Sequence, residues 1–408
     1  MYKIPEVILT INCGSSTIKY QLFTTDVREV VAKGMVSRIG EPGSTVEQEA
    51  RGRRFRQERP VPSHHQAFEA AVELLLHPEH GAIRGLEEIE AVGHRAVHGG
   101  DLFFESTLIT DEVVEKLEEL VPLAPLHNPP NLVGIREARA LLPGVPHVAA
   151  FDTSFHQTMP PKAYVYPLPY DYYLKHRVRR YGFHGTSCRY VSRRAAEMLG
   201  RSASELKTVV CHLGNGVTMT AVREGRSVDT SIGFATFSGV MMGTRSGDID
   251  PGLIFYLYRR LGMSPEAIEN VLYKESGLLG VSGVSNDMRV IEERARAGHE
   301  RCRLAMEMFA YMVKKYVGAY AAAMGGIDAL VFTAGIGENS PESRGLICAG
   351  LDFLGIELDP AANDLARGRE AIIGRPGGRT AVLVVPTNEE KMIALDTMRL
   401  AGLGKNAD

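Results

Sequence analysis

The sequence predicts an α/β protein whose mixed sheets are covered by helices. Three observations carry that expectation. Short β-branched runs alternate with longer stretches of helical periodicity. A glycine-bent hairpin opens each half of the chain, at residues 6–24 and again at 208–223. The composition, 44% hydrophobic and 23% charged over 408 residues, is that of a globular protein large enough for two or three domains.

Residues 6–11 read as a strand rich in β-branched side chains, 12–16 as a turn and 17–24 as a second strand. Residues 208–213, Gly214-Asn-Gly216 and 217–223 repeat that plan, with a further strand after Glu224-Gly225. The repeat is a faint internal duplication. Apolar residues recur at helical spacing over 64–77, 111–120, 131–142, 186–199, 251–261, 265–273 and 300–324. The runs 327–333 and 380–385 suit buried strands, and 389–400 a closing helix. Proline-rich connections cover 122–130 and 160–169. The second, just after Phe151-Asp-Thr-Ser-Phe-His156, is the expected domain boundary.

A formal net charge of -3 gives no global electrostatic case for nucleic acid or an anionic membrane, so any basic site must be local. The five cysteines are scattered and show no CxxC spacing, which argues against a disulfide framework or a zinc site and suits a reducing cytoplasm. No apolar run reaches membrane-spanning length, and the N-terminus enters a strand too early for a secretory segment. A soluble, cytoplasmic protein is expected.

Two segments stand out chemically. Tyr181-Gly-Phe-His-Gly-Thr-Ser187 puts a histidine at the mouth of a helix, and Met242-Gly-Thr-Arg-Ser-Gly-Asp248 does the same for an arginine. Neither segment can bury an apolar face. His184 and Arg245 on glycine-framed backbone can approach a small anion, as stabilising a transferring phosphoryl group requires. In Asn12-Cys-Gly-Ser-Ser-Thr-Ile-Lys19, Gly14 lets amides face a phosphate, Lys19 shares a strand face with Thr17, and Asn12 offers an oxygen to magnesium. An ordinary hairpin turn is the competing reading, and it competes more strongly at His212-Leu-Gly-Asn-Gly216.

Thr333-Ala-Gly-Ile-Gly-Glu-Asn339 follows a strand and precedes the helix-start signal Ser340-Pro-Glu. Close backbone approach there suits a nucleoside, with Glu338 or Asn339 available to ribose or base edges, although an unremarkable strand-to-helix loop fits equally. Arg95, in Gly93-His-Arg-Ala-Val-His-Gly-Gly100, can grip a carboxylate or phosphate with two parallel hydrogen bonds, against the alternative of a surface salt bridge. Asp152 ends the run Val148-Ala-Ala-Phe-Asp. Glu389, in Thr387-Asn-Glu-Glu390, either complements a helix dipole or reaches a metal. His64, His65 and His156 read as solvated or core histidines.

In this order the segments resemble the acetate kinase family, the short-chain acyl phosphotransferases of the actin, sugar kinase and chaperone ATPase superfamily, from Asn12 to Glu390. The resemblance implies two duplicated lobes of ribonuclease H-like type, residues 1–152 with 390–408 and residues 153–389, clasping a nucleotide in a cleft, and a homodimer. By motif, Asn12 and Glu389 would hold magnesium, with manganese as the alternative, and Lys19 would contact ATP phosphate. His212, Leu213, Gly214, Asn215 and Gly216, then Asp287, Met288 and Arg289, then Gly335, Ile336, Gly337, Glu338 and Asn339 would line the ATP/ADP site. Arg95 would bind the acetate carboxylate, with Val97 and Phe183 beside it. Asp152 is the family's acid/base residue, and His184 with Arg245 its transition-state stabilisers.

A carboxylate substrate with a pKa of roughly 4 to 5 is already ionised at neutral pH and needs no general base, so Asp152 is expected to orient Arg95 or the metal's water more than to move protons. Ala235-Thr-Phe-Ser-Gly239 replaces the family's usual Thr-Pro-Leu-Glu-Gly and alters one wall of the expected acyl pocket; Cys188 replaces its common histidine, with no account from sequence. Propionate or butyrate kinase is the neighbouring alternative. A nucleotide-dependent binding protein of the same fold is the alternative from another class.

Overall fold

The computed structural model describes residues 6–403. The chain forms two compact units, one made of Met1–Ser154 with Asn388–Asp408 and the other of Phe155–Thr387. The division comes before the proline-rich 160–169 connection, not at it. His156 explains this, because its Nδ1 bonds Ser227 Oγ at 2.9 Å and its Nε2 donates to the Phe183 carbonyl at 3.0 Å, both within the second unit.

The first unit holds strands β1 (Val7–Cys13), β2 (Thr17–Thr24), β3 (Val30–Ser37), β4 (Thr45–Ala50), β5 (Arg53–Glu58), β6 (Ile89–Ala96), β7 (Thr107–Leu108) and β8 (His147–Phe151), in sheet order β5-β4-β3-β2-β1-β6-β8-β7. Strands β1, β6 and β8 run parallel; the rest pair antiparallel. The second unit holds β9 (Lys207–Leu213), β10 (Val217–Arg223), β11 (Arg226–Thr230), β12 (Ala329–Thr333), β13 (Ala371–Ile372) and β14 (Ala381–Val384), in order β11-β10-β9-β12-β14-β13. Its parallel core is β9, β12 and β14. The order β3-β2-β1-β6-β8-β7 and its strand directions recur in the second sheet. The duplication glimpsed in two hairpins therefore extends to six strands, and the first unit adds β4 and β5.

The parallel strands are buried on both faces and read as continuous Val, Leu, Ile and Ala runs, each fully buried aliphatic side chain contributing about 1.5–3 kcal/mol. Helix ends follow local chemistry. Ser63 and Thr110 accept the N3 amides of helices His64–Leu75 and Asp111–Glu119, and Gly325 in the left-handed region closes Glu300–Met324. Two expectations fail locally. The helix expected over 265–273 passes after Asn270 into a π-helical turn, Val271–Glu275, and the strand-to-helix loop at 335–339 is itself a short helix, Ala334–Asn339. Among the described residues, no helix is long and apolar enough to cross a membrane.

The closing helix, Glu389–Leu400, returns to the first unit and lies against β6, burying Met392, Ile393, Ala394 and Thr397. Gly93 makes this possible. A Cβ there would sit 2.4 Å from Thr397 Oγ1 and 2.6 Å from Ile393 Cγ2, so only a hydrogen fits beneath the helix. Gly93→Val should lift the helix, destabilise the first unit by about 1–3 kcal/mol and displace Glu389; differential scanning calorimetry showing an unchanged melting profile would refute this packing account.

Candidate active site

In the first unit, polar side chains converge at the carboxyl ends of the parallel strands. Arg95 on β6 and Asp152 just past β8 form a fork, with Nε donating to Oδ1 at 3.0 Å and Nη2 to Oδ2 at 2.6 Å. Adjacent parallel register fixes it, since Arg95 pairs with Ala150 and the Asp152 amide donates to the Ala96 carbonyl at 3.0 Å. Nη1 reaches Asn12 Oδ1 at 3.4 Å, and Glu389 Oε2 lies 3.8 Å from Nε. Lys19 stands directly across the β1–β2 hairpin from Asn12 and lines a surface hollow with Glu390. Val97 is buried, its amide donating to Asn131 Oδ1 at 2.9 Å. The guanidinium edge expected to grip substrate is thus spent on Asp152, and only the Nη1 end remains for a ligand.

Charge is unbalanced here, because one guanidinium faces two carboxylates. Burial works against the Arg95 charge, but Asp152 and Glu389 outweigh it and hold its pKa up. Glu389 carries the deficit. Burial, with Asp152 and Glu390 adding and Arg95 and Lys19 opposing, pushes its pKa up to about 7. An under-compensated, half-buried carboxylate and the amide oxygen of Asn12, each drawn toward Arg95, are hard oxygen donors of the kind that suit magnesium. Among the described residues no three His, Cys, Asp or Glu side chains form a cage, and magnesium needs none, since it keeps several waters and takes one or two carboxylates.

In the second unit, His184 has φ +54° and starts the helix Gly185–Met198, where the first free amides favour anions. Its Nδ1 meets Thr218 Oγ1 at 2.7 Å, and its ring stacks on His212 with centroids 4.2 Å apart. Arg245 donates through Nη1 to the Thr236 carbonyl at 2.8 Å, with Met242 Sδ at 3.7 Å. Among the described residues it has no ion-pair partner. Burial pulls its pKa below the ordinary guanidinium value, Tyr273 opposing. Gly277, at φ +62°, permits the Arg245 loop to close, since a Cβ would lie 2.1 Å from the Met242 carbonyl. Both loops touch one turn: the Asn215 carbonyl accepts from the Gly243 amide at 3.0 Å, and Gly216 backs the His184 ring.

Contrary to expectation, both segments do bury apolar side chains. Tyr181, Phe183 and Met242 lie inside the second unit and fix the loops that carry His184 and Arg245. Cys188, for which the sequence offered no account, is a core thiol with Sγ 3.3 Å from Thr220 Oγ1.

A cavity of about 650 Å³ is lined by Gly214, Asn215, Asp287, Met288, Arg289, Gly335, Ile336 and Asn339, all expected at a nucleotide, and also by Asn286, Glu292 and Ser340. His212, Leu213, Gly216, Gly337 and Glu338 do not line it. Glu338, expected to be available to ribose, instead accepts the amides of Ala334 at 2.7 Å and Thr387 at 3.1 Å. Glu292 was missed; its signal is a carboxylate in the buried stripe of helix Met288–Arg296, where it accepts hydrogen bonds from Ser340 and Ser343. Ala235 and Phe237, expected at the acyl pocket, line an apolar cavity of about 450 Å³ with Ile254, Phe255 and Tyr258.

Glu389 makes stability depend on pH in metal-free protein. Between pH 4.5, its ordinary value, and about 7, the unfolded chain has released the proton that the folded protein retains. This group therefore opposes folding increasingly as pH rises through that window, with its full cost above 7. In chelated protein, Glu389→Gln should flatten the decline in Tm from pH 5 to pH 8, and magnesium should raise wild-type Tm above pH 7; equal slopes in the two proteins would contradict the assignment.

Residues 7–395 match the model of the Acetokinase family. An acetate kinase from Caldanaerobacter subterraneus subsp. tengcongensis is 53% identical over 395 residues, covering 96% of this chain and 98% of that protein. The crystal structure of Porphyromonas gingivalis acetate kinase superimposes with a TM-score of 0.93 at 48% identity, over 97% of this chain and 99% of that one. A propionate kinase from Francisella tularensis subsp. tularensis gives 0.90 at 40% identity, over 97% and 100% of the respective chains. With the family model matched over residues 7–395 and relatives above 50% identity covered almost end to end, the chain belongs to the acetokinase family.

Proposed function

We propose that this protein is an acetate kinase of the cytoplasm, reversibly transferring the γ-phosphoryl group of ATP to acetate to give acetyl phosphate and ADP by direct in-line displacement. The observation that carries the proposal is Arg245, a half-buried guanidinium that has no carboxylate partner among the described residues. Such a cation is set for an anion, and with His184 at a helix N-terminus it can take up charge on the equatorial oxygens of a metaphosphate-like transition state. The Nη1 end of Arg95 holds the acid, Val97 packs on its methyl group, and Lys19 meets ATP phosphate. Asn12 and Glu389 would hold magnesium, which when bound offsets repulsion between nucleotide and carboxylate. Asp152, committed to both edge nitrogens of Arg95, orients the guanidinium and moves no proton. ADP and ATP occupy the cavity beside Gly214 and Gly335.

A hydroxamate assay with ATP, magnesium and the acids from acetate to butyrate tests this directly. Acetate should give the highest kcat/KM, each added methylene costing about 1–3 kcal/mol of discrimination. Arg245→Ala should lower kcat by about 100-fold or more, while Asp152→Asn should raise KM for acetate and introduce no new ionisation into the pH profile. A maximum at propionate would move the assignment to the neighbouring kinase. No acyl phosphate from any acid would leave the nucleotide-binding alternative.

A homodimer fits the surface of the second unit. Helix Gly252–Leu261 has no buried residue, and Leu253, Phe255, Tyr256, Tyr258 and Leu261 are all exposed. A face of this kind is covered in a stable protein, and a second copy is the proposed cover. Phe255→Glu with Tyr258→Glu should halve the mass measured by light scattering; an unchanged dimer would place the interface elsewhere.

A further inference from the structure

Two stacked histidines of the second unit are held in the same way. His184 takes Thr218 Oγ1 on Nδ1 at 2.7 Å, and His212 takes Ser187 Oγ on Nδ1 at 2.8 Å. Both Nε2 atoms then face the glycine turn after β9. A Cβ on Gly214 would lie 3.9 Å from His212 Nε2, and one on Gly216 3.5 Å from His184 Nε2.

Ser187 is fully buried and accepts a hydrogen bond from Thr387 Oγ1 at 2.7 Å. Among the described residues, the acceptor left for its own hydrogen is His212 Nδ1. The relay therefore runs from Thr387 Oγ1–H to Ser187 Oγ, and from Ser187 Oγ–H to His212 Nδ1. An imidazole that accepts on Nδ1 carries its proton on Nε2. Thr387 is itself anchored, because its amide and that of Ala334 share the Glu338 carboxylate at 3.1 and 2.7 Å. The relay is thereby rooted in helix Ala334–Asn339, whose Gly335, Ile336 and Asn339 line the nucleotide cavity.

We infer that Ser187 and Thr387 are positioning residues that fix His212 as its Nε2–H tautomer, so that it presents an N–H donor to a phosphate oxygen beside the Gly214–Gly216 turn. The assignment rests on the phosphotransfer proposed above, in which groups facing the anion must donate. The opposite tautomer would turn a lone pair toward negative charge. Hydroxyls suit the task because they can donate to Nδ1. A carboxylate at position 187 would accept from Nδ1 and enforce the wrong form.

The test uses full-length protein labelled with 15N-histidine. Two-bond 1H–15N correlation reads which nitrogen of His212 is protonated, with His212→Gln assigning the signal, and steady-state kinetics are measured on the same samples. Wild type should show the Nε2–H form. Ser187→Ala and Thr387→Val should lose that preference and lower kcat about three- to tenfold, the worth of one hydrogen bond, with KM for the acid unchanged; Thr387→Ser should restore both readouts. His212 protonated on Nδ1 in wild type, or an unchanged tautomer and kcat in both variants, would overturn the relay. Should Ser187→Ala fail to fold, the wild-type spectrum and the Thr387 pair decide alone. Wild type that makes no acyl phosphate would overturn the functional proposal, while the spectrum still decides the relay.

Discussion

The fork between Arg95 and Asp152 is the constraint on which the first unit is organised. An ion pair this deep is tolerated only with good geometry and further hydrogen bonds, because desolvation otherwise exceeds the attraction. Parallel pairing of β6 with β8 supplies the geometry, and Asn12 on β1 supplies the next oxygen. Satisfying Arg95 with Asp152 leaves Glu389 as surplus negative charge. The second unit is built with the opposite surplus, a guanidinium at Arg245 that, among the described residues, is tethered to a carbonyl and a sulfur and to no carboxylate. Taken each by itself, one unit is thus short of a cation and the other short of an anion.

The two sheets share a strand order but put different chemistry at matching places. Asn12 and His212 each occupy the next-to-last position of a seven-residue opening strand, Asn12 opposite Lys19 and His212 opposite Thr218. In one unit that position offers an oxygen toward a cation. In the other it offers a ring braced by hydroxyls. Duplication supplied the scaffold, and the residues at the strand ends gave each copy its sign.

Much of this was legible in the sequence where local chemistry decides. The opening hairpins, the helix Glu300–Met324 and the closing helix begin and end where turn glycines and caps place them. Strands β3 to β5 were not, because segments such as Arg53-Arg-Phe-Arg-Gln-Glu58 bury almost nothing and are strands only through their neighbours. His184, Arg245, Arg95 and Asp152 could be picked out by glycine framing and strand ends, yet the pairing of Arg95 with Asp152 depends on register between segments 57 residues apart. Glu338 looked free by position and is held by Ala334 and Thr387. Ser187 gave no signal at all, since a serine in a helix's first turn is usually explained by the helix.

The closing helix has a consequence for biosynthesis. The strip of β6 around Gly93 that receives Ile393 and Thr397 is made long before the segment that covers it. The second unit, contiguous from Phe155 to Thr387, can complete its sheet on the growing chain, whereas the first must wait, partly uncovered, for the segment that begins at Asn388. A nascent chain at that stage presents an apolar, half-roofed sheet of the kind that general chaperones recognise.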